Sequence, residues 1–325
     1  MMLEGIGGYF ELELPDKDRF PHDGGVLLNS GRNALEYVLR SLHDIVHLKI
    51  PYYTCEVILE PLQKLNIAYS FYPIDGKLEL QEPFRLREGE YLLYTNYFGI
   101  KDEYVRTLSN QYGAKLIVDN AQAWFAEPME GVNTIYSPRK FVGIPDGGVA
   151  YCPKGIDVAN FEQDTSFDRC SHLLKRIDLG ASEGYADFKE NSQKLSNQPI
   201  RCMSILTKAL LASIDFGEVK RKRRENLQWI HDALKDSNRF DLPDFSSFEC
   251  PMVYPYLTED MSLKQKLIDN KVFVATYWPN VKEWTMEGML ERKLSDCLIP
   301  IPCDQRYRQT EINRIVEIVR NATGD

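Results

Sequence analysis

One lysine stands in a setting that suits covalent chemistry on a carbonyl group. Lys140 lies in the stretch YSPRKFVGIPDGG, residues 136–148, between a predicted strand and a turn that contains glycine. A lysine amine attacks a carbonyl carbon only when it is unprotonated, and burial or a neighbouring cation favours that form. The strand ends of open α/β sheets are also where active sites gather. Lys140 is therefore a candidate Schiff-base former, although a single loop lysine is most often an ordinary surface residue.

A second group of polar residues could face the same ligand. Asp119 ends the apolar stretch LIVD, and Gln122 follows three residues later. A carboxylate at the end of a buried strand costs free energy unless it meets a cation or several hydrogen-bond donors. The alternative role for Asp119 is that of a helix N-cap. Ser137 precedes Lys140 by three residues, so a single turn would direct both side chains into one pocket.

A third group could bind a phosphate. Gly31, Arg32 and Asn33 open a predicted helix, and the free N–H groups at a helix N-terminus suit an anion. Ordinary helix capping is the alternative for these three residues. Pyridoxal phosphate needs a lysine, an anionic partner for its pyridinium nitrogen and a phosphate site. The sequence supplies a phosphate site, an aspartate and a lysine, in that order, and so indicates a pyridoxal-phosphate enzyme.

Several motifs carry a family resemblance that runs nearly from end to end of the chain. NSGRNALEYVL, IPYYTCEVI, IVDNAQAWFA and KFVGIPDGG resemble motifs of the DegT/StrS type of sugar-nucleotide aminotransferases, within the aspartate-aminotransferase superfamily. The aspartate–glutamine pair and the lysine followed by Asp-Gly-Gly are the most specific of these. The resemblance implies the pyridoxal-phosphate-dependent fold type I.

The resemblance also implies roles for individual residues. Lys140 would bond the cofactor aldehyde and then move the proton, and Asp119 would keep the pyridinium nitrogen protonated. Gln122 would lie at the phenolic oxygen of the cofactor ring. The phosphate would be bound by residues of the first helix and by one serine: Gly31, Arg32, Asn33 and Ser137.

Some positions depart from the family pattern. Cys55 stands where the family usually has the aromatic side chain that stacks on the cofactor, and Tyr53 or Tyr97 could replace that ring. The usual serine five residues before the lysine is Ile135, and the family histidine of His-x-x-Gly is Asn96. Asn197 is the candidate for the asparagine that the partner subunit contributes. The predicted substrate-binding residues are Tyr97, Trp124 and Tyr277.

The pattern of elements is that of an α/β protein. Short apolar strands alternate with helices from residue 31 to about 153, which predicts a mixed, mostly parallel sheet flanked by helices. Residues 205–236 could form one long helix with Gly217 as its weak point, and VFVATYW, residues 272–278, reads as a strand. The extended segment GGYFELELP, residues 7–15, precedes the first helix. We predict a large cofactor-binding domain over residues 1–237 and a smaller α+β domain over residues 238–325.

Composition excludes several classes of protein. The chain has 325 residues and a formal charge of −9, which disfavours nucleic-acid binding. Its seven cysteines form no CxxC pair, which favours a reducing cytoplasm over a disulfide framework or a zinc site. No signal peptide or membrane-spanning run is evident. His43 and His47 have i,i+4 spacing, but no cysteine is near them and no metal site is predicted.

The expected protein is a pyridoxal-phosphate-dependent aminotransferase and a homodimer with shared active sites. It would transfer an amino group from an amino acid such as glutamate to a keto sugar nucleotide, in polysaccharide or glycan biosynthesis. Two alternatives remain open. One is a protein of the same fold that binds a ligand or partner without catalysis, and the other is a pyridoxal-phosphate enzyme acting on an ordinary amino acid.

Overall fold

The computed structural model describes residues 7–15 and 19–323 of the chain. Its strands, numbered β1 to β9 in chain order, are Val26–Leu28, His47–Pro51, Ala68–Tyr72, Glu90–Thr95, Leu116–Asn120, Asn133–Tyr136, Gly148–Tyr151, Tyr254–Leu257 and Leu298–Ile301. Its α-helices, α1 to α11, are Gly31–Ser41, Leu59–Lys64, Asp102–Tyr112, Ser171–Asp178, Tyr185–Lys194, Ile205–Ala212, Phe216–Leu234, Leu263–Asp269, Val281–Trp284, Leu290–Cys297 and Gln309–Thr323.

A seven-stranded sheet carries most of the fold in the described part of the chain. Its strand order is β1-β7-β6-β5-β4-β2-β3. The strands from β6 across to β3 are parallel, whereas β7 runs antiparallel to β6 and β1 antiparallel to β7. The predicted mixed, mostly parallel sheet is therefore confirmed. A separate antiparallel pair, β8 and β9, lies in the C-terminal part.

Alternation along the central strands divides the core between the two faces of the sheet. Ile117 and Ile135 pack with the apolar face of α1, whereas Val118 and Tyr136 belong to a larger cluster on the opposite face. Burial on both faces explains why these parallel strands are almost continuously apolar. The larger cluster includes residues of β8, β9 and α11, so one core joins the C-terminal part to the sheet. The division at residues 237 and 238 stays a prediction, and its outer ends, residues 1–6 and 324–325, lie outside the described residues.

Two local predictions are wrong, and one strand was missed. The long helix is two helices, α6 and α7, and it breaks at Ser213–Asp215 instead of Gly217. Asp215 explains the break, because its carboxylate accepts the N–H of Glu218 at 3.0 Å and so caps α7. Residues 272–278 contain no strand, and their place is taken by a loop that leads to α9. Strand β1 was not predicted, because only three residues pair with β7.

The segment at residues 7–15 forms no helix or strand. Among the described residues, no helix is both long and apolar enough to cross a lipid bilayer. All seven cysteines are free. The predicted histidine pair does not share a helix, because α1 ends at Ser41 and His47 begins β2. Within the described ranges, no group of three or more histidine, cysteine, aspartate or glutamate side chains could hold a metal ion.

One buried arginine joins the long helix α7 to three loops. Arg223 is 2 % exposed, and its guanidinium donates to the carbonyl oxygens of Phe141, Pro251 and Met252 and to Oε1 of Gln305. Its charge also lies 4.6 Å from the centre of the Phe141 ring. Phe141 directly follows Lys140, so this arginine fixes the chain beside the candidate lysine.

We expect Arg223→Ala to lower the free energy of unfolding by about 3 kcal/mol, because four buried acceptors lose a charged donor. Denaturant unfolding of the two proteins measures the difference. Arg221→Ala is the matched control on the same helix. Arg221 is 53 % exposed and pairs with glutamates at the surface, so its loss should change stability by less than about 0.5 kcal/mol. Equal effects of the two substitutions would contradict the role given to Arg223.

Candidate active site

Strand β5 delivers a buried carboxylate to the carboxyl end of the sheet. Asp119 is 7 % exposed and pairs in register with Thr95 on β4 and Ile135 on β6, on the face of the sheet that α1 covers. Its Oδ1 accepts the N–H of Ala121 at 2.8 Å. Burial raises the pKa of Asp119, whereas the charge of Lys140 and the Ala121 hydrogen bond lower it, and burial is the stronger effect. A cation placed against this carboxylate would favour its ionised form.

Lys140 ends a short 3₁₀ turn, Pro138–Lys140, that follows β6. Its side chain is exposed in the single chain. Its charge acts on Asp119 and also on the Cys55 thiol, so the three side chains share one region. Lys140 and Asp119 form no ion pair, so the Lys140 amine and the Asp119 carboxylate are more than 4.0 Å apart. The structure therefore places the two predicted catalytic residues near enough for their charges to interact.

The start of α1 lies against the residue that begins the lysine turn. A Cβ placed on Gly31 would lie 3.2 Å from Cβ of Ser137, so the absence of a side chain at Gly31 permits the contact. Ser137 is 8 % exposed, and its hydroxyl has no hydrogen-bond partner among the described residues. Arg32 follows Gly31 and forms an ion pair with Glu60 at 3.4 Å. These three predicted phosphate-site residues are therefore neighbours.

Asn33, the fourth predicted phosphate-binding residue, already makes hydrogen bonds to other residues of the protein. Its N–H donates to Oγ of Ser30, the N-cap of α1, at 3.1 Å. Its side-chain oxygen accepts the Ser30 hydroxyl at 2.6 Å, and its side-chain nitrogen donates to the Gln198 carbonyl at 3.0 Å. Asn33 therefore holds the start of the helix in place, and the expectation that its groups face a phosphate is corrected.

Cys55 lies where charges and an aromatic ring meet. Burial raises the pKa of its thiol, and Lys140 and Arg32 are close enough to lower it. Burial also raises the pKa of Tyr277 to about 12, and the nearby Cys55 adds to that shift. The side-chain nitrogen of Asn280 donates to the Thr54 carbonyl at 2.9 Å and so fixes the Tyr277 loop beside Cys55. Tyr277 is half-buried.

The other two tyrosines named from the sequence are fully buried. Tyr53 and Tyr97 are both 0 % exposed, and the Tyr97 hydroxyl donates to the Tyr53 carbonyl at 2.8 Å. They pack within the larger core cluster, 5.6 Å apart between ring centres. The prediction that one of them replaces the missing aromatic side chain is corrected, and so is the substrate role of Tyr97.

Trp124 is also a core residue and not a substrate contact. Its side chain is 0 % exposed and packs edge-on against the rings of His22 and Tyr136. Its carbonyl lies 2.6 Å from Nε2 of His22, and burial lowers the pKa of that histidine to about 4. No local pattern predicts this packing, because His22 and Trp124 are 102 residues apart.

The buried amide of Gln122 has an unused donor. Gln122 is 1 % exposed, and its Oε1 accepts the N–H of Phe98 at 3.0 Å. Its Nε2 has no hydrogen-bond partner among the described residues. An unsatisfied buried donor is costly and points to a missing acceptor. Gln122 thus retains a free hydrogen for a ligand oxygen.

A network that sequence reasoning missed holds the glycine turn after the lysine. Asp146 is 0 % exposed and accepts the hydroxyls of Ser166 and Thr207, each at 2.5 Å. Arg169 forms an ion pair with the same carboxylate at 2.9 Å. These partners lie 20 to 61 residues away along the chain, so no local sequence pattern predicts them. The network anchors the loop that returns from Lys140 to β7.

Two other residues singled out in the sequence have structural positions. Asn96 is 0 % exposed, and its side-chain nitrogen donates to Asp102 at 2.7 Å and to Asn120 at 3.1 Å, on the face of the sheet opposite Asp119. Asn197 is exposed, and its N–H donates to Glu60 at 2.7 Å. Whether Asn197 serves a partner subunit stays a prediction.

The raised pKa of Asp119 generates a test of stability. A carboxyl group whose pKa is raised by folding favours the protonated form, so it destabilises the fold as pH rises through that raised value. We expect Asp119→Asn to raise the melting temperature of the cofactor-free protein by about 2 °C at pH 7.5 and by less at lower pH. Thermal unfolding followed by circular dichroism measures this difference.

Asp304→Asn is the matched control, because Asp304 is also 7 % exposed. Burial raises the pKa of Asp304, but Arg306 more than offsets this and leaves it lowered. A lowered carboxyl pKa stabilises the fold above the unfolded value, so Asp304→Asn should reduce the melting temperature at pH 7.5. A fall for Asp119→Asn as well would mean that Asp119 serves the fold as a cap.

Solved structures share this architecture. DesV of S. venezuelae, crystallised with a ketimine intermediate, has a TM-score of 0.66 and 14% identity, over 91% of this chain and 84% of that one. A DegT DnrJ EryC1 StrS aminotransferase from Brucella abortus has a TM-score of 0.61 and 14% identity, over 92% and 86%. NtdA from Bacillus subtilis, with bound cofactor PMP, has a TM-score of 0.61 and 13% identity, over 92% and 73%.

Sequence comparisons add nothing to this likeness: no protein-family model matches the chain, and no curated protein matches it significantly. Several further neighbours are aminotransferases, and one of them, CalS13 from Micromonospora echinospora, is a sugar aminotransferase. The strand order and the covered shares confirm the predicted fold class. The chain has the fold of the pyridoxal-phosphate-dependent aminotransferases of fold type I.

Proposed function

We propose that this protein is a pyridoxal-phosphate-dependent aminotransferase that moves an amino group from an amino acid such as glutamate to a keto sugar nucleotide. The proposal rests mainly on one observation: the charge of Lys140 acts on the buried carboxylate of Asp119, and the two groups form no ion pair. The fold of sugar aminotransferases supports the substrate class. A role in polysaccharide or glycan biosynthesis and a cytoplasmic location, supported by seven free thiols, belong to the same proposal.

The residues around Lys140 fit pyridoxal phosphate in three respects. The buried Nε2 of Gln122 lacks an acceptor, and the phenolic oxygen of the cofactor would supply one. The close approach of Gly31 to Ser137 leaves a hydroxyl and a helix N-terminus free for the phosphate. The carboxylate of Asp119 has one oxygen, Oδ2, that accepts no hydrogen bond from the described residues, and a protonated pyridine nitrogen would satisfy it.

Four residues of the chain then have defined tasks. When bound, the cofactor supplies an electrophilic aldehyde and a ring that accepts the electron pair released at the substrate carbon. Lys140 would provide the Nζ amine that holds the cofactor, and the same nitrogen, once free, would accept and return a proton at the reacting carbon atoms. Asp119 holds the proton on the ring nitrogen, and Gln122 orients the ring. Tyr277 lies beside Cys55 and excludes water from that side.

We also propose a homodimer, because Lys140 is exposed in the single chain and a partner would cover it. Exposed apolar side chains gather on α4 and α5, and the α5 residue Phe188 contacts the residue next to Lys140. The exposed fractions are 59% for Leu174, 81% for Ile177 and 43% for Phe188. Apolar surface of this kind marks an interface.

The first test traps the cofactor. We expect the purified protein to turn yellow with pyridoxal phosphate and, after borohydride reduction, to carry the added mass on the peptide that contains Lys140. Peptide mass spectrometry of the wild type and of Lys140→Ala measures this, with Lys154→Ala as a control in an exposed loop. A colourless protein with unmodified Lys140 would favour the alternative of a binding protein without catalysis.

Amino donors and acceptors then separate the enzyme alternatives. Glutamate added to the unreduced sample should bleach the yellow form, and a keto sugar nucleotide should restore it. Absorbance spectra follow both steps. Bleaching by glutamate with recovery only from ordinary keto acids would favour an enzyme that acts on amino acids.

The dimer has its own test. Leu174→Asp combined with Ile177→Asp should convert a dimer into a monomer, because two charges enter an apolar interface. Light scattering after gel filtration measures the mass. Met286→Asp is the control, since Met286 is 76% exposed but lies outside α4 and α5. A monomeric wild type, or a double variant that stays dimeric, would contradict the proposed interface.

A further inference from the structure

Helices α4 and α5 form a hairpin that contacts the lysine segment, residues 139–147, on both sides of Lys140. The side-chain nitrogen of Asn191 on α5 donates to the Pro145 carbonyl oxygen at 2.7 Å, and Asn191 is 3 % exposed. On the other side, Nη2 of Arg139 donates to the hydroxyl of Ser192 on α5 at 3.4 Å. Two neighbouring residues of one helix therefore fix the chain before and after the lysine.

One histidine of α4 is enclosed within this hairpin. His172 is 7 % exposed, and its ring meets that of Phe188 edge-on, with 5.7 Å between the ring centres. The guanidinium of Arg139 lies 5.3 Å from the centre of the same Phe188 ring. Nδ1 of His172 is buried and has no hydrogen-bond partner among the described residues. In a protonated ring both nitrogens are N–H donors, so Nδ1 would become a buried donor that needs an acceptor.

The carboxylates near His172 are already paired with cations. His172 lines a cavity of about 20 Å³ together with three acidic side chains of the preceding turn and of α5. Their partners are Arg169 for Asp168 at 3.8 Å, Lys175 for Asp187 at 2.8 Å and Lys194 for Glu190 at 3.1 Å. Arg169 also pairs with the buried Asp146 and Asp164. A proton on His172 would therefore find no unpaired carboxylate in this cavity.

The other charged groups around His172 give it little support. Arg139 forms no ion pair with a carboxylate in the described part of the chain, and Arg176 lies exposed one turn farther along α4. Glu183 is exposed in the connection between the two helices and does not line the cavity. Burial lowers the pKa of His172, and the charge of Arg139 lowers it further. A backbone hydrogen bond and Asp187 oppose these effects only in part.

The neutral ring of His172 is therefore the form that suits the closed hairpin. A histidine whose pKa is lowered by folding contributes its full stability above the unfolded pKa of about 6.5. That stability is lost as pH falls through the unfolded value towards the folded one. Opening of the hairpin lets the ring take up a proton in water, away from Arg139. Local opening of this kind costs less free energy than global unfolding.

We propose that the α4–α5 hairpin is a pH-sensitive clasp that releases the lysine segment when His172 gains a proton. Opening breaks both hydrogen bonds between α5 and the lysine segment, so the chain on either side of Lys140 loses its support. The clasp needs neither a cofactor nor a substrate and so does not depend on the proposed function.

Hydrogen–deuterium exchange followed by mass spectrometry tests the clasp in the cofactor-free protein. After correction for the intrinsic pH dependence of exchange, peptides from α4, α5 and the lysine segment should exchange about two- to tenfold faster at pH 5.5 than at pH 7.5. A single proton with an unfolded pKa of about 6.5 sets the upper limit of about tenfold. His172→Gln cannot take up this proton and should exchange equally at the two pH values.

His231→Gln is the matched control. His231 also has a buried Nδ1 without a partner among the described residues, and burial lowers its pKa, but it lies on α7 outside the hairpin. Its substitution should leave the pH dependence of the hairpin peptides unchanged. Arg139→Gln is a second variant that removes the repelling charge, and it should reduce the increase at pH 5.5. Melting temperatures at pH 7.5 show whether each variant is folded.

Four results would overturn the clasp. Equal exchange at both pH values in the wild type would mean that the hairpin does not open. Slower exchange at pH 5.5 would mean that the protonated ring donates to Oδ1 of Asn191, which also lacks a partner, and strengthens the contact. Faster exchange confined to α4 and α5 would mean that the lysine segment stays held. An increase that depends on protein concentration would belong to dissociation of the proposed dimer.

Discussion

The cost of burying one carboxylate organises the proposed site. Asp119 sits at the carboxyl end of β5, where the register with β4 and β6 directs it to the face that α1 covers. Burial there favours the neutral acid, and neither Lys140 nor the Ala121 N–H fully compensates. In the free protein the ionised form of Asp119 is therefore disfavoured, and a bound cation would favour it. Under this condition a carboxylate binds a protonated ring strongly.

Strand alternation separates this site from a second polar cluster. Asn120 follows Asp119 and points to the other face, where it accepts a hydrogen bond from Asn96, which also donates to the buried Asp102. That network satisfies its own members and so fixes the ends of β4 and β5. Arg223 and Asp146 hold the chain on either side of Lys140 in the same manner. Rigid, satisfied polar groups therefore surround a few unsatisfied ones, which is the arrangement that a binding site needs.

Local patterns were sufficient for the parallel strands of the sheet and for α1, because each depends on residues close in sequence. They failed where burial depends on distant partners. Trp124 and Tyr97 are aromatic residues near the right motifs, but packing against residues from elsewhere in the chain encloses both. The break before α7 was misplaced because Asp215 was not recognised as a cap, and a capping side chain overrides the weaker effect of a glycine.

The positions that depart from the family pattern have one physical explanation in the proposed site. A cofactor requires a ring contact, a hydroxyl and positive charge at fixed places in space, and it does not require them at fixed places in the sequence. Cys55 supplies no ring, but Tyr277 from the C-terminal part lies beside it. Ile135 supplies no hydroxyl, but Ser137, two residues later on the same face, lies against Gly31. Because side chains on one strand face recur every second residue, such a shift preserves the direction of the group while it changes the motif.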